Sequence, residues 1–171
     1  MKQIWTRSGI CVAVFAVFLG TAALSQAKGT KSINGTFSGQ ATVTPISLQP
    51  PVFRQNNVAT GTISHLGRVT AEWTVREVSF ASQGTQLVIA QPDWIGVIKA
   101  QNGDQIIGAY TFRSSTLPIS PDGEVQFIAD LNITGGTGRF AGATGQAVSI
   151  GRGNIWTGRF TLDLTGSITL R

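Results

Sequence analysis

The stretch WTGRFTLDLTGSITL, residues 156–170, decides the class of structure. Trp156, Gly158, Phe160, Leu162, Leu164, Gly166, Ile168 and Leu170 share one parity; Thr157, Arg159, Thr161, Asp163, Thr165, Ser167 and Thr169 share the other. Successive side chains of a strand point to opposite faces, so a period of two predicts an extended segment with one buried face and one solvated face. The run is long for a strand, and glycine marks bends and barrel corners. It reads as one bent strand or as two strands meeting at Gly166.

The same alternation recurs upstream. From Ile33 to Val43 the odd positions are apolar or small and the even ones are Asn34, Thr36, Ser38, Gln40 and Thr42. From Val125 to Ile133, the residues Val125, Phe127, Ala129, Leu131 and Ile133 oppose Gln126, Asp130 and Asn132. Further strands are expected over Val58–Leu66, Arg68–Phe80, Gln86–Ala90, Trp94–Lys99, Gln105–Arg113 and Ala143–Ile150. Turns fall at Gln83–Gly84, Asn102–Gly103, Pro121–Gly123 and Gly151–Asn154, where glycine, proline and asparagine supply the needed backbone conformations. Pro45–Asn57, rich in proline and amides, reads as a long loop. No segment carries a helical period. About eight strands at regular spacing predict an all-β domain, a barrel or a sandwich. A single closed antiparallel β-barrel is favoured, because closure removes the exposed edges that are hazardous in a chain so rich in β-formers.

The N-terminus sets an expectation about compartment. Lys2 and Arg7 precede an apolar stretch from Ile10 to Leu24 that ends in Ser25, Gln26 and Ala27. This is the pattern of a secretory signal peptide over residues 1–27, too short to act as a membrane anchor, and it predicts a secreted or periplasmic domain over residues 28–171. Removing it leaves a net charge of +3 instead of +5 and takes away Cys11, the sole cysteine. The domain then depends on packing without disulfides, and zinc sites of the Cys/His type are excluded, since His65 is the only histidine. Asn102, Gly103 and Asp104 lack the spaced carboxylates of a calcium loop and read as a turn, so no metal and no cofactor is expected. The basic residues are scattered without a run, which argues against a nucleic-acid partner.

Two segments break the alternation. Leu87, Val88 and Ile89, and then Trp94, Ile95, Val97 and Ile98, are apolar on both parities. Both faces there need cover, from a loop or from a second subunit, and a homo-oligomer built on this edge is one expectation.

Three stretches, SHLGRVTAEW (64–73), AQNGDQIIGAYTF (100–112) and ITGGTGRFAGATGQ (133–146), together with the ending GRFTLDLTGSITL, resemble small secreted bacterial proteins of uncharacterised function. The glycine-rich stretch also resembles the corresponding part of the dirigent and allene oxide cyclase proteins. That resemblance implies an eight-stranded antiparallel barrel, commonly trimeric, with acidic and basic side chains in its cavity. Arg139 is the only charged residue in the matched stretch and reads as a turn residue. Asp130, Asp163, Glu72 and Arg159 fall on the polar parity of their strands, so no catalytic residue transfers.

The candidate ligand-binding residues are His65, Tyr110, Trp73 and Glu77. Odd parity from Ile63 to Val75 places His65 inward if the register holds, where an imidazole would serve as acid or base near neutral pH. A turn at Gly67 would reset that register. Tyr110 shares the parity of Ile106 and Phe112, and its hydroxyl is a second inward polar group. Glu77 continues the inward parity of Trp73 and Val75, but Val78 and Phe80 switch parity, which implies a bulge beside it. Trp73, Trp94 and Trp156 read as core, or as a ligand platform. The glycines from Gly135 to Gly145 lack phosphate-loop spacing and read as a tight β connection with a bulge. The first expectation is therefore a barrel with a mostly apolar interior that takes a small lipophilic molecule or serves as a non-catalytic structural module. The second is a dirigent- or cyclase-like enzyme that steers a cyclisation or coupling in the cavity. The third, an outer-membrane barrel, is disfavoured by the threonine-rich polar faces, and stable membrane insertion is not expected.

Overall fold

The computed structural model describes residues 29–90, 92–114 and 116–171, leaving out the side chains of Ser82 and Gln83. The expected signal peptide lies outside the described residues. The strands are β1 (Gly29–Leu48), β2 (Pro51–Ile63), β3 (Gly67–Gln83), β4 (Gln86–Ala90), β5 (Trp94–Ala100), β6 (Gln105–Phe112), β7 (Thr116–Pro118), β8 (Glu124–Gly136), β9 (Thr144–Asn154) and β10 (Arg159–Leu170). A 3-10 turn, Gly138–Phe140, is the one helical element among them. Eight strands close a ring in the order β2-β1-β10-β9-β8-β6-β5-β3, with β3 returning to β2. Every pairing is antiparallel. The remaining two strands form a flap: β4 pairs with the last residues of β3, and the short β7 pairs with β4.

The alternation converts directly into the barrel wall. Along β10, Phe160, Leu164 and Ile168 are buried, while Thr161, Asp163 and Thr165 are exposed. Outside, Thr36, Ser38, Thr60, Thr62 and Thr70 lie in exposed cross-strand rows. Transmembrane barrels carry an apolar band outside and polar groups within, so this distribution is the reverse of theirs. No helix among the described residues is long and apolar enough to cross a membrane.

Several expectations need correction. Pro45–Asn57 is not a loop but the far half of the β1–β2 hairpin. Its prolines sit where a ladder tolerates them, Pro45 at a register shift and Pro51 as the first residue of β2. Gly151–Asn154 is not a turn either, because β9 runs through it. Gly151 and Gly153 face inward, and the ring of Phe127 lies across Gly151. The turn comes next, at residues 155–158, where Asn154 accepts from the Trp156 and Thr157 backbone amides and Gly158 takes a φ of +70°. β10 therefore starts at Arg159 and runs unbroken through Gly166, and Trp156 is a turn residue, 71% exposed. The strand β7 was not anticipated.

Two irregularities fall where the residues imply them. Opposite Arg54, β3 carries the pair Arg76 and Glu77, since Gln55 faces Val75 and Phe53 faces Val78. This bulge lets both Val75 and Val78 be buried. In β8 a second bulge at Thr134 shifts the register against Ile107 and Gly108. Gly138 and Gly142 then adopt positive φ around the 3-10 turn.

The interior has two halves. At one end Ile33, Ile63, Val69, Ile98, Ile106, Ile133, Phe140, Ala143, Ala147 and Ile168 fill the lumen, with Phe140 brought in by the 3-10 turn. Towards the other end Val75, Val78, Leu87, Ile89, Trp94, Leu117, Val125 and Ala129 form a second cluster, joining the flap to the barrel wall. The flap accounts for one of the doubly apolar segments: Leu87 and Ile89 are buried beneath it and Val88 is half-buried.

Candidate functional site

The flap end of the barrel encloses a cavity of about 360 Å³. That is within the range of small-ligand sites. Its walls are aromatic. The Tyr110 ring stacks on Trp94, its cross-strand partner, at 5.6 Å and 7°, and faces Trp73 at 6.4 Å and 19°. Phe160 meets Trp73 edge-on at 5.5 Å, and Phe112 meets Trp94 edge-on at 5.1 Å. Offset and edge-to-face arrangements of this kind hold rings in fixed positions. Glycine makes the stack possible: a Cβ at Gly96 would lie 2.7 Å from Cε2 of Tyr110, so the ring occupies space that any other residue would claim.

Among these rings stand a few polar groups. Asn57 and Ser149 are each 2% exposed and Trp94 is 7% exposed, and all three line the cavity. Asn57 Nδ2, Ser149 Oγ and Trp94 Nε1 find no hydrogen-bond partner among the described residues. Burial pushes the Tyr110 phenol well above its ordinary value, so it is a neutral donor across the physiological range. Arg159 lines the rim and is exposed. Asn154 also borders the cavity, but its amide donates to the Asp122 carbonyl and Glu124 Oε1, tying the β9–β10 turn to the start of β8.

The four expected site residues separate. Tyr110 and Trp73 line the cavity and face one another. His65 does not face the interior: it is exposed in the β2–β3 turn, at the packed end of the barrel. The reason is local: odd positions face inward in β2 and β3 alike, but Ile63 pairs with Gly67, so His65 is the middle residue of the turn between them, with a φ of 67°, and belongs to neither ladder. Glu77 is exposed on the β3 bulge. A His65, Glu77 and Tyr110 acid/base cluster is therefore not assembled. Trp94 joins Trp73 in the wall, whereas Trp156 packs over Gly123 outside it. Asn57 and Ser149 were not anticipated. Asn102 and Asp104 form the expected turn, the Asn102 amide donating to Asp104 Oδ2 at 2.8 Å. Among the described residues no group of three or more His, Cys, Asp and Glu side chains is placed to hold a metal ion.

Compared with protein-family models, curated proteins and solved structures, the chain matches none.

Proposed function

We propose that this barrel binds a small lipophilic molecule in the cavity at its flap end, and that it does so outside the cytoplasm, where the pattern of residues 1–27 would direct it. The supporting observation is that the lumen is divided, filled by aliphatic side chains and Phe140 towards one end and hollow and aromatic-walled at the other, where Arg159 at the rim is the one charged lining residue. A purely structural barrel would gain stability from filling that space, since buried voids forfeit packing. The neutral dye N-phenyl-1-naphthylamine is expected to bind saturably, one per chain, with enhanced fluorescence. Ala129→Phe, which adds a ring to the cavity wall, is expected to abolish binding while leaving the circular dichroism of a β protein. Absence of saturable binding to the parent protein would sink the reading. Mass spectrometry of the natively purified protein would then identify the natural occupant.

A second reading, a cyclase- or isomerase-like barrel of the dirigent and allene oxide cyclase type, is favoured by the Tyr110 phenol, a neutral hydrogen-bond donor set among apolar walls. Self-association is also proposed. On the outer face of β5 and β6, Ile95 is 58% exposed and Val97 pairs with Ile107 beside Ile95 and Ala109, while Val58 on β2, 53% exposed, lies across Glu72 of β3 from Val97. Light scattering is expected to give a mass above one chain, reduced by Ile95→Glu; a monomeric mass at high concentration would remove the proposal.

A further inference from the structure

Polar side chains set among the apolar lining specify the occupant further. The inner end of the cavity is closed by Phe37, Ala71 and Leu164, which line it and belong to the packed cluster, while Asn57, Ser149 and Tyr110 are the last lining residues on their own strands. On their own strands the next inward-facing positions are Ala59, Ala147 and Gly108, of which the two alanines belong to the packed cluster and Gly108 is covered by Leu131. Asn57 Oδ1 accepts from Gln55 Nε2 at 2.9 Å, which orients the amide so that its NH2 end is the free one. Ser149 Oγ lacks a partner opposite Leu164 and Ala129. The lining thus presents the Asn57 amide and the Ser149 hydroxyl with no protein partner, and no formally charged side chain other than the rim residue Arg159 borders the cavity.

Resting on the lipophilic-ligand reading above, we propose that the cavity takes an uncharged, mainly hydrocarbon molecule bearing a hydrogen-bond acceptor such as a ketone, aldehyde or ester oxygen, placed against the Asn57 amide or the Ser149 hydroxyl. A pure hydrocarbon would leave these donors desolvated and unpaired, and an unmade buried hydrogen bond is costly. A carboxylate beside Asn57 or Ser149 would be a buried charge with no cation next to it. A carboxylate paired with Arg159 at the rim would leave both donors against its alkyl chain, with the same penalty as a hydrocarbon.

The test displaces bound N-phenyl-1-naphthylamine from the purified protein with three probes of matched length: 2-undecanone, n-dodecane and undecanoate. The ketone is expected to bind about tenfold more tightly than the alkane, the value of roughly one buried hydrogen bond. Asn57→Leu combined with Ser149→Ala is expected to bring that ratio to about one without weakening the alkane. Should the double variant fail to fold, Ser149→Ala alone is expected to cut the ratio about threefold or more without lowering the melting temperature, because the hydroxyl it removes has no protein partner. Equal binding of ketone and alkane to the parent protein, a ratio unchanged in the variants, or undecanoate binding more tightly than the ketone and losing that advantage in Arg159→Gln would each overturn the inference. If the dye binds but ketone and alkane are not distinguished, the lipophilic-ligand reading stands and this inference alone fails. If neither the dye nor any probe binds, both fail.

Discussion

Gly166→Val is expected to lower the free energy of unfolding by about 3 kcal/mol, the upper part of the range for overpacking a well-filled core. The matching fall in melting temperature is about 10 °C for a domain of this size. Gly166 lies between Leu164 and Ile168 on the inward parity of β10, paired with Ile33 on β1 and Ala147 on β9. A Cβ there would press on the Gln146 carbonyl oxygen and Ala147 Cα and lie 2.5 Å from Ala147 Cβ. These are backbone atoms and the first side-chain atom of the neighbouring strand, which no rotamer change can move aside. The β9–β10 ladder must open, beside the cluster of Ile33, Ala147 and Ile168. Gly135→Ala is the control: no atom lies within 4 Å of its added Cβ, and its effect should fall within about 0.5 kcal/mol. Thermal unfolding followed by circular dichroism distinguishes the two, and equal melting temperatures would show that the packed half is looser than described.

The barrel was legible in the sequence because closure is enforced by a short-range signal. Each strand buries one face, so a period of two, repeated with turn residues between, describes the wall almost completely. The errors cluster where backbone conformation depends on a partner strand. Pro45 and Pro51 look like loop residues to any local reading, and only the pairing of β1 with β2 shows that they stand at a register shift and at a strand start. Gly151 and Gly153 look like turn residues until the ring of Phe127 is seen across Gly151. The three-residue β7 leaves no periodic trace, since its existence depends on β4 being folded back beside it.

The site was half legible for a related reason. Trp73 and Tyr110 lie in strands whose parity is unbroken on either side, so their direction follows from their neighbours. His65 shares that parity but stands at the tip of the β2–β3 turn, where neither ladder directs its side chain. Asn57 and Ser149 carried a signal, a polar residue on the inward parity among alanines and glycines, as in Asn57, Ala59, Gly61 or Ala147, Ser149, Gly151. For Asn57 it was hidden by the loop reading of Pro45–Asn57. In general, a polar residue on the wrong parity of a well-formed strand points more directly to a cavity than an aromatic on the right one, because burial without a partner has to be compensated by something.

Alkaline titration is expected to show whether that cavity is dry. Tyr110 is the only tyrosine in the chain, so tyrosinate absorbance reports it alone. Burial between Trp94 and Trp73 raises its phenol above the ordinary value of 10.0. Above that pH the unfolded chain loses the proton while the folded chain keeps it, so the unfolded state binds fewer protons and stability falls as pH rises. The contribution is fully present below pH 10 and is lost progressively as pH climbs toward the folded value, at up to about 1.4 kcal/mol per pH unit. The melting temperature should therefore fall more steeply between about pH 10 and 12 than in Tyr110→Phe, whose ring keeps the stack but has no proton to lose. In the parent protein tyrosinate should appear together with the loss of β-sheet circular dichroism and not before it. If the phenol instead ionises near pH 10 in a protein that is still folded, water reaches the ring, and an apolar ligand would gain little by displacing it.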